Sequence, residues 1–210
     1  MIFMCSRGRR ELLQKFMDVS QPRLEGRVLI DDDDNSYDGM KLPHGWDFVV
    51  GKRGSVTEIL NRAFKKFPDE PYYAVICDDM LYTDPVPGWD ALLSAAATPR
   101  YVSWGDDGRF SERLCTSFWV GGDLVRAFGW LQHPDIGHLY ADTVWWTIAR
   151  GAKIARYLPE VSYRHHKVMD RTFAERSIQG DATTFERLRM TEIPFLTRKA
   201  HDLGHTVNQS

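Results

Sequence analysis

Nine residues, Tyr72-Tyr73-Ala74-Val75-Ile76-Cys77-Asp78-Asp79-Met80, constrain this chain most. Tyr72 to Ile76 carries no charge and no alternation of polar with apolar side chains. That pattern suits a strand covered on both faces, hence a sheet with helices on each side. Two carboxylates then arrive together at the strand's carboxyl end, where ligands bind in open α/β sheets. Adjacent carboxylates repel, and holding both ionised near a buried sheet edge is costly unless a cation neutralises them. A hard divalent ion, Mg²⁺ or Mn²⁺, shared with a substrate's phosphates would do so. A solvated Asp-Asp turn is the plain alternative.

The stretches before it repeat the same layout. Ile2 to Cys5 reads as a strand, followed by the basic turn Ser6-Arg7-Gly8-Arg9-Arg10 and a helix over 11–19 with Leu12, Leu13, Phe16 and Met17 on one face. Free amides at a helix start, together with arginines, make a natural anion site. Arg27 to Ile30 is a second strand running into Asp31-Asp32-Asp33-Asp34-Asn35. A calcium loop would need Gly and Glu where Ser36 and Leu42 stand, so one of these carboxylates is better suited to a ribose. Trp46 to Gly51 is a third strand. Lys52-Arg53-Gly54-Ser55 follows it, with Ser55 or Thr57 capping a helix over 56–67. Charged turns thus follow every strand of a β-α-β-β-α-β run, which predicts a mostly parallel sheet with a nucleotide site on its carboxyl edge. Neither GxGxxG nor GxxxxGK[ST] occurs, which argues against dinucleotide dehydrogenases and P-loop NTPases.

Further on, a helix is expected over 91–97, strands over 101–104 and 115–120, and a helix over 124–131. A strong helix is expected over 141–150, with Asp142 near its start. Strand 153–158 follows, with an extension at 161–163 that leads into Arg164-His165-His166-Lys167. Helices are expected over 172–178 and 182–190, with little hydrophobic period, and 201–210 reads as a tail.

Composition excludes more than it selects. The chain has 210 residues and a net charge of −2. Residues 1–150 carry 17 Lys+Arg against 22 Asp+Glu, and residues 151–210 carry 10 against 7. No polybasic footprint demands nucleic acid. Cys5, Cys77 and Cys115 are scattered and odd in number, which predicts a reducing, cytoplasmic home without disulfides. The apolar start is cut off by Arg7, Arg9 and Arg10, unlike a signal peptide, and no apolar window is long enough for a membrane span.

In this order the pieces resemble a compact GT-A glycosyltransferase of the family 2-like kind found in phages and bacteria. The resemblance rests on Ser6-Arg7-Gly8-Arg9; Cys77-Asp78-Asp79-Met80 with Pro87-Gly88-Trp89-Asp90; Phe118-Trp119-Val120-Gly121-Gly122; Tyr140-Ala141-Asp142-Thr143; and Glu160 to His165 followed by Met169-Asp170. It covers roughly residues 2–175 and implies a GT-A domain over 1–175 with a helical extension and tail over 176–210. It also implies a nucleotide-diphosphate sugar donor (a UDP-sugar favoured), a hydroxyl acceptor, a divalent metal (Mn²⁺ or Mg²⁺) and an inverting hexosyl or pentosyl transfer. The family's DxD motif would fall on Cys77-Asp78-Asp79, with Cys77 departing from its first acid. Asp79 is then the implied metal ligand, completed by His165 or, alternatively, His166. Asp142 is the implied general base. Ser6, Arg7, Arg9, Asp31, Arg53 and Asp78 are the implied donor contacts. The compact size resembles phage enzymes, some of which glycosylate modified bases in DNA, so the host cytoplasm and a nucleobase acceptor belong to this expectation. Two other readings compete: a nucleotidyltransferase, for which the first turn lacks a glycine-rich signature, and a non-catalytic GT-A domain that binds a sugar or partner.

Overall fold

A computed structural model describes residues 1–83, 86–166 and 178–205. Its centre is a seven-stranded sheet in the order β3-β2-β1-β4-β7-β6-β8. The strands are β1 (Ile2–Cys5), β2 (Gly26–Asp31), β3 (Trp46–Gly51), β4 (Tyr72–Cys77), β6 (Val102–Asp106), β7 (Trp119–Gly121) and β8 (Ala155–Ser162). β1, β2, β3 and β4 are mutually parallel, as are β6 and β8. β7 runs antiparallel to both β4 and β6, so every strand but β7 points the same way. The carboxyl ends of the other six therefore share one edge, the α/β arrangement that the charged turns predict.

Both faces are covered. Along β1, Phe3 joins one buried cluster while Ile2 and Met4 join the other, and β4 divides Tyr73 from Ala74 and Ile76 in the same way. Helices α1 (Arg10–Ser20) and α3 (Trp89–Ala97) supply Leu13, Phe16, Met17, Trp89 and Leu93 to one face. Helices α2 (Val56–Lys66), α4 (Gly122–Phe128) and α5 (Ala141–Gly151) supply Leu60, Phe64, Leu124, Val144, Trp145 and Ile148 to the other. α2 starts on a capping box: Ser55 Oγ accepts from the Glu58 amide, and the Glu58 carboxylate accepts from the Ser55 amide.

The chain order puts a switch point in the middle of this sheet. From β1 the chain moves outward through β2 to β3, then crosses back to place β4 on the other side of β1. The crevice between β1 and β4 is where an open α/β sheet binds its ligand. Ser6 leaves one side of it and Asp78 the other.

Several boundaries differ from expectation for local reasons. The strand expected over 115–120 is ordered as ladder only at Trp119–Gly121. Its first half instead hands side chains to neighbours: Cys115 Sγ donates to Asp142 O at 3.2 Å and Thr116 Oγ1 meets Tyr163 OH at 2.7 Å. The helix expected to reach 131 stops at Phe128, because Gly129 takes a left-handed conformation and caps it. The two pieces expected at 153–158 and 161–163 form one strand, β8. It runs through Pro159 on a register shift against Gly105 and Asp106.

A two-stranded ribbon was not expected at all. β5 (Met80–Leu81) pairs antiparallel with β9 (Arg164–His165), Met80 opposite His165. The C-terminal part forms α6 (Ile178–Thr191) and α7 (Ile193–His205). Phe185, Leu188, Ile193, Leu196 and Ala200 are buried in the same cluster as α5, so the weak periodicity conceals a packed face. Helix continues through His201–His205, where a tail was expected. Of the helix expected over 172–178, all but Ile178 lies outside the described residues, as do Met169 and Asp170.

Candidate active site

The site begins with the β1–β4 crevice. Asp78, 1% exposed, receives Ser6 Oγ on Oδ2 at 2.6 Å and Arg9 Nη1 on Oδ1 at 3.0 Å. With its proton on Asp78, Ser6 Oγ can only accept from Tyr37 OH, 2.6 Å away; that hydroxyl in turn accepts from the Arg9 amide at 3.1 Å. Both oxygens of Asp78 are thus engaged by the turn after β1. Burial pushes its carboxyl above the usual carboxylate range, against the pull of Ser6 and Arg9.

A second group fastens the turns after β1, β2 and β3 together. Arg7 Nε bonds Asp31, and Arg7 Nη2 donates to Gly54 O at 3.1 Å. The Gly8 amide donates to Asp34 Oδ2 at 2.7 Å. Asp31 is buried, and its other oxygen, Oδ1, has no hydrogen-bond partner. Arg53 stands further out, its guanidinium 3.5 Å from Asp33 with both side chains more than half exposed.

The ribbon of β5 and β9 brings the end of the last strand to Asp79. Met80 pairs with His165, and one step outward the His166 amide donates to Asp79 O at 2.7 Å. His165 Nε2 then lies 3.2 Å from Asp79 Oδ1, while the other carboxylate oxygen is 3.7 Å from Arg9 Nη1. Asp79 Oδ1 is buried and accepts no well-formed hydrogen bond; the contact with His165 has the distance but not the alignment. A buried carboxylate oxygen left over, with an imidazole nitrogen beside it, is a donor pair suited to a divalent cation. Among the described residues no three His, Cys, Asp or Glu side chains converge to hold an ion unaided. Remaining positions would fall to phosphate oxygens and water, the usual pattern for Mg²⁺.

Asp142 reaches the same region from α5. It sits in the first turn, two residues after Tyr140, whose φ of 68° is left-handed. Its Oδ1 accepts from the Thr143 amide at 2.7 Å and from Thr143 Oγ1 at 3.2 Å. Burial raises its pKa, while Thr143 and the charge of a protonated His165 lower it.

Apart from Asp142, which bonds Thr143 on its own helix, the residues expected from sequence fall into three groups. Ser6, Arg9, Asp78, Asp79 and His165 form one contact network. Arg7 with Asp31 forms a second on the adjacent turns, and Arg53 lies at the rim. Tyr37 was missed, because nothing in its spacing marks a hydroxyl that reaches back to the first turn; Asp34, one of the four carboxylates considered for a ribose, instead accepts the Gly8 amide of that turn. Asp107 was missed too: its Oδ1 accepts the amides of Arg109, Phe110 and Ser111 at 2.9, 2.6 and 2.9 Å, shaping the loop after β6. The Asp-Asp-Gly sequence at 106–108 was its only signal.

No family model and no curated protein matches the sequence. Solved structures do. A mannosyltransferase from Pyrobaculum calidifontis, in complex with GDP-Man and Mn²⁺, aligns over 100% of this chain and 75% of its own, with TM-score 0.62 and 13% identity. A candidate nucleotide-diphospho-sugar transferase from Desulfovibrio desulfuricans G20 aligns over 95% and 96%, with TM-score 0.51 and 13% identity. A 4-diphosphocytidyl-2C-methyl-D-erythritol synthase from Anaerococcus prevotii aligns over 88% and 95%, with TM-score 0.51 and 10% identity. Strand order, covered faces and these likenesses agree: the chain has a GT-A-like α/β fold, the fold of nucleotide-sugar transferases.

Proposed function

We propose that this protein is a glycosyltransferase that moves a sugar from a nucleotide-diphosphate sugar to a hydroxyl acceptor, with inversion at the anomeric carbon. The observation that carries the reading is the pair Asp79 and His165, brought to 3.2 Å beside the β1–β4 crevice with a buried carboxylate oxygen left over. The likeness to a mannosyltransferase holding GDP-Man and Mn²⁺ supports it.

In this reading the turns after β1 and β2 hold the nucleotide. Arg7 and Asp31 are fixed against each other and face the ribose and phosphates, with Arg53 at the rim. Ser6 and Arg9 act through Asp78, keeping the floor of the crevice rigid. Asp79 and His165 would hold a divalent ion, which supplies positive charge to the leaving diphosphate. Arg9, 3.7 Å from Asp79, adds a fixed cation of this chain's own. Asp142 takes the acceptor hydroxyl's proton as its oxygen attacks the anomeric carbon, and the burial that raises its pKa makes its ionised form a stronger base. UDP-sugars are the first donors to test, then GDP- and dTDP-sugars. The acceptor class extends to a modified nucleobase, although the net charge of −2 gives no duplex footprint.

The likeness to the diphosphocytidyl transferase keeps nucleotidyl transfer as a second reading. One set of assays decides. Thermal shift with each nucleotide-sugar, with and without Mn²⁺, should show stabilisation that needs both, followed by slow release of nucleoside diphosphate. Asp79→Asn should abolish the Mn²⁺-dependent part of the shift. Pyrophosphate release from a nucleoside triphosphate and a sugar phosphate would favour the second reading. No response to any nucleotide would sink both and leave a non-catalytic binding domain.

A further inference from the structure

One buried carboxylate of the C-terminal helices is spent on the loop in front of Asp142. Asp181, 9% exposed on α6, accepts the Gly137 amide on Oδ1 at 2.8 Å and the His138 and Leu139 amides on Oδ2 at 3.0 and 2.9 Å. One turn along the same face, Phe185 stacks on Tyr140, centroids 5.4 Å apart and planes 19° apart. Tyr140 is the residue in the left-handed region, a conformation that the Cβ of a non-glycine residue disfavours. The loop's other side is gripped by α2. Thr57 Oγ1 bonds Gln132 Oε1 at 2.8 Å, and the Thr57 amide donates to Gly137 O at 3.3 Å. Asn61 Oδ1 accepts the Leu131 and Gln132 amides at 2.8 and 3.0 Å. A strained residue persists only where its surroundings fix it from several sides, and here two helices do so.

We propose that Asp181 is a positioning residue for Asp142: by binding the amides of Gly137, His138 and Leu139 it fixes the turn at Tyr140 from which α5 presents the Asp142 carboxyl. This rests on Asp142 being the general base. Asp181 touches no substrate and acts only through the loop. Its carboxylate matches three convergent amides with two oxygens, and an amide side chain offers them only one acceptor. A base displaced by about an ångström loses on the order of 10²-fold in rate without a change in donor binding.

The test is a double-mutant cycle on Asp181→Asn and Asp142→Asn, read as donor hydrolysis with water as acceptor and Mn²⁺ present, so no acceptor need be known. Asp181→Asn should lower kcat at least tenfold with donor KM within twofold of the parent, and amide exchange at 137–139 should speed up. Added to Asp142→Asn it should cost less than a further twofold, because the group it positions is already gone. An unchanged kcat, a donor KM that moves with kcat, or an effect that simply multiplies with that of Asp142→Asn would overturn the proposal and leave Asp181 a staple of the fold. If Asp142→Asn alone keeps full activity, the base assignment falls, a separate and recognisable failure. Should Asp181→Asn not fold, Asp181→Glu keeps the charge one methylene further out and must pass the same cycle.

Discussion

At the scale of single residues, the site is a set of carboxylates with different environments. Asp78 is satisfied twice over, Asp79 once too few, and Asp142 is raised by burial while it leans on Thr143. These differences predict different behaviour on substitution. Asp142→Asn should keep the fold and lower kcat by about 10²–10⁴-fold, the usual worth of a general base. The raised pKa fixes the sign of the pH dependence. The base form exists only above that pKa, so activity should fall as pH drops through a value above the ordinary 3.8. This acid limb should vanish in the variant, and a pH–kcat profile checks it. Asp79 was visible in the sequence because it ends an apolar strand, whereas His165 and Asp142 were singled out by the resemblance to the family and not by any local period. Tyr37, Asp107 and Asp181 were invisible. Their roles are bonds to backbone amides or hydroxyls of distant loops, and no local period encodes those. The choice between His165 and His166 was also open in the sequence. The ribbon's register turns the His165 ring to the Asp79 carboxylate and leaves only the His166 amide on the Asp79 backbone.

At the scale of elements, strands and helices with strong periods came through, and short or interrupted ones did not. The four strands before residue 80 and the helices of α1, α2 and α5 were legible because one apolar side chain after another points at a covered sheet. The β5–β9 ribbon was not, since two residues have no period and their pairing is decided by tertiary contact. Pro159 split β8 in the sequence, yet a register shift lets the strand continue past it. α2 shows how local chemistry fixes an end. Ser55 and Glu58 satisfy each other's amides there. Ser55→Ala should destabilise the protein by about 1 kcal/mol in urea unfolding, with no change in donor hydrolysis. An effect on hydrolysis would mean that the preceding turn, with Gly54 bonded to Arg7, moves with the cap.

At the scale of the whole molecule, the sheet sorts its helices into two covered faces, and α6 and α7 add to the face of α5. Leu196, buried in that shared cluster, links the last helix to the rest. Leu196→Ala should cost about 2–5 kcal/mol, read as a lower midpoint of a single unfolding transition. A separate early transition would instead mean that the C-terminal pair unfolds alone. The topology has a further consequence for a chain as it is made. Asp79 and His165 meet only through the ribbon of β5 and β9, and Asp142 lies between them in sequence. At about 5–20 residues per second, Asp79 leaves the ribosome seconds before its partner exists. On the proposed function, a nascent sheet of β1 to β4 can therefore already have its crevice while lacking the Asp79–His165 pair that would hold a divalent ion there. Competence arrives late and all at once, with the closing of the last strand.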